Sequence, residues 1–309
     1  MSGKPGTIVG IWSVKQVNVI WPGGLEMLSG LDRRYLEILV ANDALIDSDI
    51  IPLDDGDAYT SDYSGGSTKI IDRGYPLRWG RIIHRVKKSV GIEEVSTDCV
   101  VATVTRSIDG VMKISAPYQL STRMRHALIS KPFSEQSVRK ARFMRVAESH
   151  DPARNWKLNG VSIVHGGTEH SNVSISELEM RTRFGEFISL KSPDENAWPF
   201  RLHGHAQLAT VEGETDLDVM VKVQTTEVEP NMVVLRSGYR GKWGQRTLLP
   251  LRLENRVGGK YVHTYENTVR AQPRPGVFHA VVEAISRESL CDKDAPVITR
   301  FWGIPYTVQ

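Results

Sequence analysis

Short runs in which apolar and polar residues alternate dominate the chain, and alternation by two marks a strand with one buried face. Ile8–Val19 mixes β-branched and aromatic residues in this way and closes on the turn Pro22-Gly23-Gly24. Tyr35–Ala41 fits helix or strand, and its β-rich surroundings favour a strand. After Pro76 the pattern changes. Ile82, Ile83, Val86 and Val90 recur at helical spacing with basic residues between them, which predicts an amphipathic helix carrying Arg78, Arg81, Arg85, Lys87 and Lys88 on its outer face. Cys99–Tyr118 then reads as two β-runs joined by a hairpin turn at Asp109-Gly110. Ser121–Arg142 reads as two helical pieces broken at Pro132, with Ser134 at the N-cap of the second and Val138 and Ala141 facing inward.

From Phe143 to Phe187 the alternation returns, with turns at Asp151-Pro152 and Gly166-Gly167. Lys191–Trp198 (KSPDENAW) is the most linker-like tract and sets the expected boundary between residues 1–190 and 199–309. Beyond it lies a second series of short strands, with Val277–Leu290 the one candidate helix. No repeat of about 20–50 residues argues for a solenoid or propeller. The expected fold is mainly β with a few helices, arranged as two β-sandwich-like domains packed together.

Charge is uneven along this pattern. Lys and Arg against Asp and Glu number 5 against 11 in residues 1–72, 17 against 7 in residues 73–160, and 17 against 18 in residues 161–309. A net charge of +3 therefore conceals a middle segment at +10, the footprint of a surface that meets a polyanion, either phospholipid head groups or nucleic acid. With 309 residues and 40% apolar content the chain is long enough for one large core or two ordinary ones. Cys99 and Cys291 lie far apart without partner spacing, so neither a disulfide framework nor a zinc site is expected, and a reducing compartment fits best. No run approaches the roughly 18 apolar residues of a membrane span. The N-terminus lacks the pattern of a secretory signal, and neither a myristoylation glycine nor a prenylation cysteine is present, so any membrane contact is expected to be peripheral and cytoplasmic.

Candidate chemistry is sparse. Asp54, Asp55 and Asp57 lack the spacing and terminal glutamate of a calcium loop and read as a solvated acidic loop. His203 and His205 would share one face of a strand, with His165 and His170 as possible further ligands, but no H-E-x-x-H pattern accompanies them, and no metal or other cofactor is expected. Gly238–Gly244 (GYRGKWG) carries Arg240 and Lys242 but lacks the P-loop order, and reads as a basic hairpin loop. Neither a nucleophile elbow nor a base tied to either cysteine is visible, so no catalytic activity is expected.

The tract YPLRWGR, the basic segment after it, VVATVTRSIDGVMKISAPY, the pieces across Arg123–Arg142 and the strand RFMRVAES resemble, in order, the N-terminal domain of paramyxovirus-type matrix proteins. In that family a tract similar to LPLGVGR precedes a helix, a hairpin, another helix and a strand; Pro76, Leu77, Gly80 and Arg81 are the positions that match it. MVVLRSGYRGKWGQRTLLPL is similar to the family's C-terminal sheet. The resemblance implies two β-sandwich domains, a homodimeric building block, and a peripheral structural layer at the inner face of the membrane, in virion and host cytoplasm, that supports virion assembly with viral nucleoprotein or RNA as a further partner. Neither P-P-x-Y nor P-T-A-P, the tracts that recruit scission machinery, is found. The face expected to meet anionic lipid comprises Arg78, Arg81, Arg85, Lys87, Lys88, Arg139, Lys140 and Arg142, with Trp79 at the lipid interface. The alternative is an RNA-binding viral movement or capsid-type β protein using the same charges, with Trp79 and Trp156 as stacking platforms.

Overall fold

The computed structural model describes residues 11–12, 28–43, 46, 78–120, 123–183, 185–193, 210–239 and 242–309. The acidic loop, His203, His205 and residues 194–198 of the linker-like tract lie outside these. In chain order the elements are β1 (Ile11–Trp12), α1 (Gly30–Asn42), β2 (Arg78–Ser96), β3 (Cys99–Leu120), β4 (Arg123–Arg145), α2 (Pro152–Asn155), β5 (Trp156–Val161), β6 (Val164–Thr168), β7 (Val173–Thr182) and β8 (Gly185–Leu190). They continue with β9 (Thr210–Val211), β10 (Asp216–Thr225), β11 (Met232–Tyr239), β12 (Lys242–Leu249), β13 (Leu251–Val257), β14 (Lys260–Arg270), β15 (Gly276–Ile285), α3 (Arg287–Cys291) and β16 (Thr299–Val308). The protein is mainly β with a few helices, as expected.

Among the described residues the strands form two sheets. The larger has 11 strands along the path β1-β2-β3-β4-β6-β16-β15-β11-β12, with β5 on β4 and β9 on β16; the smaller has five, in the order β13-β14-β10-β7-β8. Alternate residues of β15 (Phe278, Ala280, Val282) and β16 (Trp302, Ile304, Tyr306) pack against Leu178 and Met180 of β7 and Val219 and Val221 of β10, making a sandwich. The opposite faces of β15 and β16, through Val281 and Phe301, pack against Trp79, Ile83, Met112 and Phe133 of the long strands, so the large sheet curls round a second core. Each sheet draws strands from both sides of residues 191–198, with β7 pairing β10 and β6 pairing β16, and the expected division into 1–190 and 199–309 does not coincide with the sheets.

Three expected elements are corrected. Tyr35–Ala41 belongs to helix α1, whose N-cap Ser29 accepts from the Asp32 backbone N–H at 3.0 Å while Asp32, Leu36 and Val40, four apart, form its buried stripe. The expected hairpin turn at Asp109-Gly110 is instead the middle of β3. Glycine is needed there for close approach rather than turning, because a Cβ would meet the Phe133 ring at 2.6 Å. Val277–Leu290 is strand β15 followed by the short helix α3; β15 is buried on both faces, so its near-continuous apolar run carries no alternation to separate it from a helix.

Gly166 of β6 lies where β4 and β16 close on it. A Cβ there would run into the Gln136 carbonyl oxygen and come within 2.5 Å of the Phe301 ring. Gly166→Ala is expected to destabilise the protein by about 1–3 kcal/mol through overpacking, read as a lowered Tm in thermal unfolding.

Candidate polyanion-binding face on the long meander

The basic tract folds as three antiparallel strands of 19, 22 and 23 residues, β2, β3 and β4, rather than as helices. In β2 the inward residues are Trp79, Arg81 and Ile83, then Lys88, with a bulge between Ile83 and Arg85 shifting the phase. One extra residue converts a period of two into a local spacing of three, which is why Ile82, Ile83, Val86 and Val90 read as helical. In β4, Pro132 faces solvent before pairing with β6 begins at Glu135, a strand position that needs no outward backbone donor. The alternation in β4 separates buried Lys131, Phe133, Glu135, Ser137 and Arg139 from exposed Pro132, Ser134 and Gln136.

This alternation divides the cations of the tract. Arg81, Lys88 and Arg139, three of the expected lipid-contacting residues, are buried, together with Arg106 and Lys131, and none of these can belong to an open basic face. Their roles are internal. Lys88 Nζ donates to the carbonyl oxygens of Ala41 at 2.9 Å and Val40 at 3.3 Å, neutralising the C-terminal end of α1. Lys131 does the same for α3, donating to the Ser289 oxygen at 2.7 Å and to the Asp292 oxygen. Arg106 donates to the Ile46 oxygen at 2.7 Å.

Arg81 is at the centre of a sealed network. Its guanidinium donates to Glu135 and to Glu283, the Arg236 Nε donates to the second Glu283 oxygen at 2.7 Å, and the Thr299 hydroxyl donates to Glu135. The Phe133 ring lies 4.5 Å from the Arg81 guanidinium carbon. Burial alone would raise the pKa of Glu283, but Arg236 and Arg81 outweigh it and hold the carboxyl below its ordinary range. Burial likewise opposes the Arg81 charge, and the two carboxylates reverse the effect and raise its pKa. The arrangement ties β2 and β4 to β11, β15 and β16 across the curl of the large sheet.

Trp79 is also internal. Its Nε1 donates to Met232 Sδ at 3.1 Å, the Arg246 guanidinium lies 4.0 Å from its ring centroid, and Arg246 donates to its carbonyl oxygen at 2.8 Å. Trp156 is buried beneath Arg145, 4.9 Å from its ring. Neither indole reaches solvent to enter a lipid interface or stack on a base.

Among the described side chains, the outward face of the meander carries Arg85, Lys87, Lys113, Lys140 and Arg142. Register sets its rows as Arg85–Asp109–Ser134, Lys87–Ser107–Gln136, Ser89–Thr105–Val138, Gly91–Thr103–Lys140 and Glu93–Val101–Arg142. Successive rows lie about 7 Å apart and the strands about 4.8 Å apart. Arg85 and Lys87 are exposed, and Lys140 and Arg142 half-buried. Lys113, further along β3, shares this face and donates to Ser130 Oγ at 2.7 Å; Asp109 accepts from Ser134 Oγ at 2.9 Å. The Arg142 Nε donates to Asn159 Oδ1 at 2.8 Å. The face is thus rich in serine and threonine, and has Arg85, Lys87, Lys113, Lys140 and Arg142 against the carboxylates of Glu93 and Asp109. Arg78 begins β2, and its side chain lies outside the described residues. Local pattern does not mark Lys113, because Asp109-Gly110 predicts a turn; uninterrupted alternation across 99–115 places it on this face.

Other candidates disperse. Among the described residues no three His, Cys, Asp or Glu side chains gather as a metal site. His170 is exposed at a turn with φ 58° beside Glu169. In the glycine-rich tract Tyr239 pairs with Lys242 at the end of the β11–β12 hairpin. Cys99 and Cys291 are both free thiols, and burial raises the pKa of Cys99. Among the described residues no helix is long and apolar enough to cross a membrane. The fold and this face define a mainly-β protein with a cationic sheet surface. Comparison with models of known protein families, with curated proteins and with solved structures found no match to this chain.

Proposed function

We propose that the protein is a non-catalytic structural protein of the viral matrix type, lying as a peripheral layer against the anionic inner face of a membrane and assembling with copies of itself to support virion assembly. The observation that carries this reading is the outward face of β2–β4, where Arg85, Lys87, Lys113, Lys140 and Arg142 share one open, polar sheet surface. Such a face binds a charged plane by electrostatics, at about 1 kcal/mol for each basic residue brought near an anionic leaflet. The order of helices in the matrix family lends no support, since Arg78–Ser96 and Arg123–Arg145 are strands. RNA binding through the same charges is less well supported, because the two expected stacking side chains, Trp79 and Trp156, are buried.

Contact is made by the sheet surface, without insertion of an amphipathic helix. Co-sedimentation is expected with vesicles containing phosphatidylserine and not with vesicles of phosphatidylcholine alone. Equal binding to both would reject electrostatic recognition of the membrane.

A further inference from the structure

The outermost strand of the smaller sheet, β13, pairs with β14 on one side, and no described strand pairs with its other edge. Residues 252–257 are all exposed, and two apolar side chains on one face, Leu253 at 54% and Val257 at 64%, have no cover. Soluble proteins usually blunt such an edge with charges that repel a second strand. Here the charges alternate in sign along one face, Arg252, Glu254 and Arg256, with Glu254 3.6 Å from His263 Nε2 and the Arg256 guanidinium 5.4 Å from the Tyr261 ring centroid on β14.

The β13–β14 hairpin turns through Gly258 and Gly259 at φ 57° and 81°, so Val257 and Lys260 form the hydrogen-bonded pair that closes it. Counting back along the register, Asn255 and Leu253 also bond towards β14, which leaves the N–H and C=O groups of Glu254 and Arg256 directed at the free edge.

We propose that β13 is a self-association edge: two copies of this chain pair antiparallel about a twofold axis at Asn255, merging their small sheets into one. In that register Glu254 lies opposite Arg256 of the second copy, and Arg256 opposite Glu254 of the second copy. These are the residues with free backbone groups, so four main-chain hydrogen bonds accompany two ion pairs. On the other face Leu253 meets Val257 of the second copy, twice, at the close spacing of non-hydrogen-bonded pairs. Register is specified as well. Centring the axis one residue earlier, on Glu254, sets that carboxylate against itself and Arg252 against Arg256, both repulsive. The Arg252 bulge also falls outside the five-residue match.

A contact this short is smaller than the roughly 1,600 Å² of a standard stable interface, so the dimer is weak and concentration-dependent in solution. It deepens the structural-layer reading by naming the self-contact, but it stands on the edge alone and is measured without lipid.

Sedimentation equilibrium of the full chain over a wide concentration series is expected to show monomer and dimer. Glu254→Arg and Arg256→Glu, each placing like charges in both pairs, are expected to weaken association about tenfold or more. The double exchange Glu254→Arg/Arg256→Glu restores it, and a mixture of the two single variants forms heterodimers. Thermal unfolding confirms that each variant is folded. A wild-type chain that stays monomeric overturns the proposal, as do dimers indifferent to the single reversals or weakening that the double exchange leaves unrepaired. Loss of vesicle binding with dimerisation intact would reject the membrane reading alone.

Discussion

Glu283→Ala is expected to lower stability by about 3–5 kcal/mol, because it leaves Arg81 and Arg236 as buried charges without their shared carboxylate. Against the roughly 5–15 kcal/mol that holds a typical domain, this takes away much of the folded state's margin. Chemical denaturation reads the loss as a lower midpoint. Replacing Arg81, Glu135, Glu283 and Arg236 together by apolar residues of similar volume is expected to restore much of it, since the penalty comes from the unpaired charge and not from the absence of the ion pairs. The wild-type network has an acid limit. The Glu283 pKa is depressed in the folded protein, so its contribution is complete above the ordinary glutamate value of 4.5 and is lost as pH falls through the lower folded value.

Arg85→Glu/Lys87→Glu is expected to weaken binding to phosphatidylserine vesicles by about 2–4 kcal/mol, on the order of thirty- to a thousand-fold, as two attractive charges become two repulsive ones. Both side chains are exposed on the outward face, so the Tm should stay near that of the wild type. Lys88→Glu, one residue further along the strand, is expected to behave in the opposite way. Its ammonium is buried against the Val40 and Ala41 carbonyls, and a carboxylate there would face acceptors with no donor, so folding fails before binding can be measured. Vesicle binding and thermal unfolding of these variants therefore separate the two faces of β2.

The β class of the protein was legible from alternation and turn residues, and the concentration of charge in residues 73–160 pointed to the segment that forms the meander. Local pattern misled where the fold broke its own period. The bulge after Ile83 produced a helical spacing inside a strand, and the large size of Phe133 made Gly110 necessary in the middle of β3. Charge counting could not tell Arg81 from Arg85, because a guanidinium that meets Glu135 and Glu283 from residues 54 and 202 positions away carries no local mark. A strand reading of Arg78–Ser96 would have put Lys87 and Lys88 on opposite faces at once. Ser29 three residues before Asp32, ahead of the spacing Asp32, Leu36, Val40, was a readable start for α1 that the neighbouring strands obscured.

The outward face of β2–β4 is proposed to bind anionic membrane. The most direct test is co-sedimentation of the full chain with phosphatidylserine vesicles across a salt series, with single-stranded RNA as competitor. Binding is expected to fall steeply with salt, to resist displacement by RNA, and to lose most of its salt dependence in Arg85→Glu/Lys87→Glu. Binding that RNA displaces, or that the double reversal leaves unchanged, would contradict the proposal.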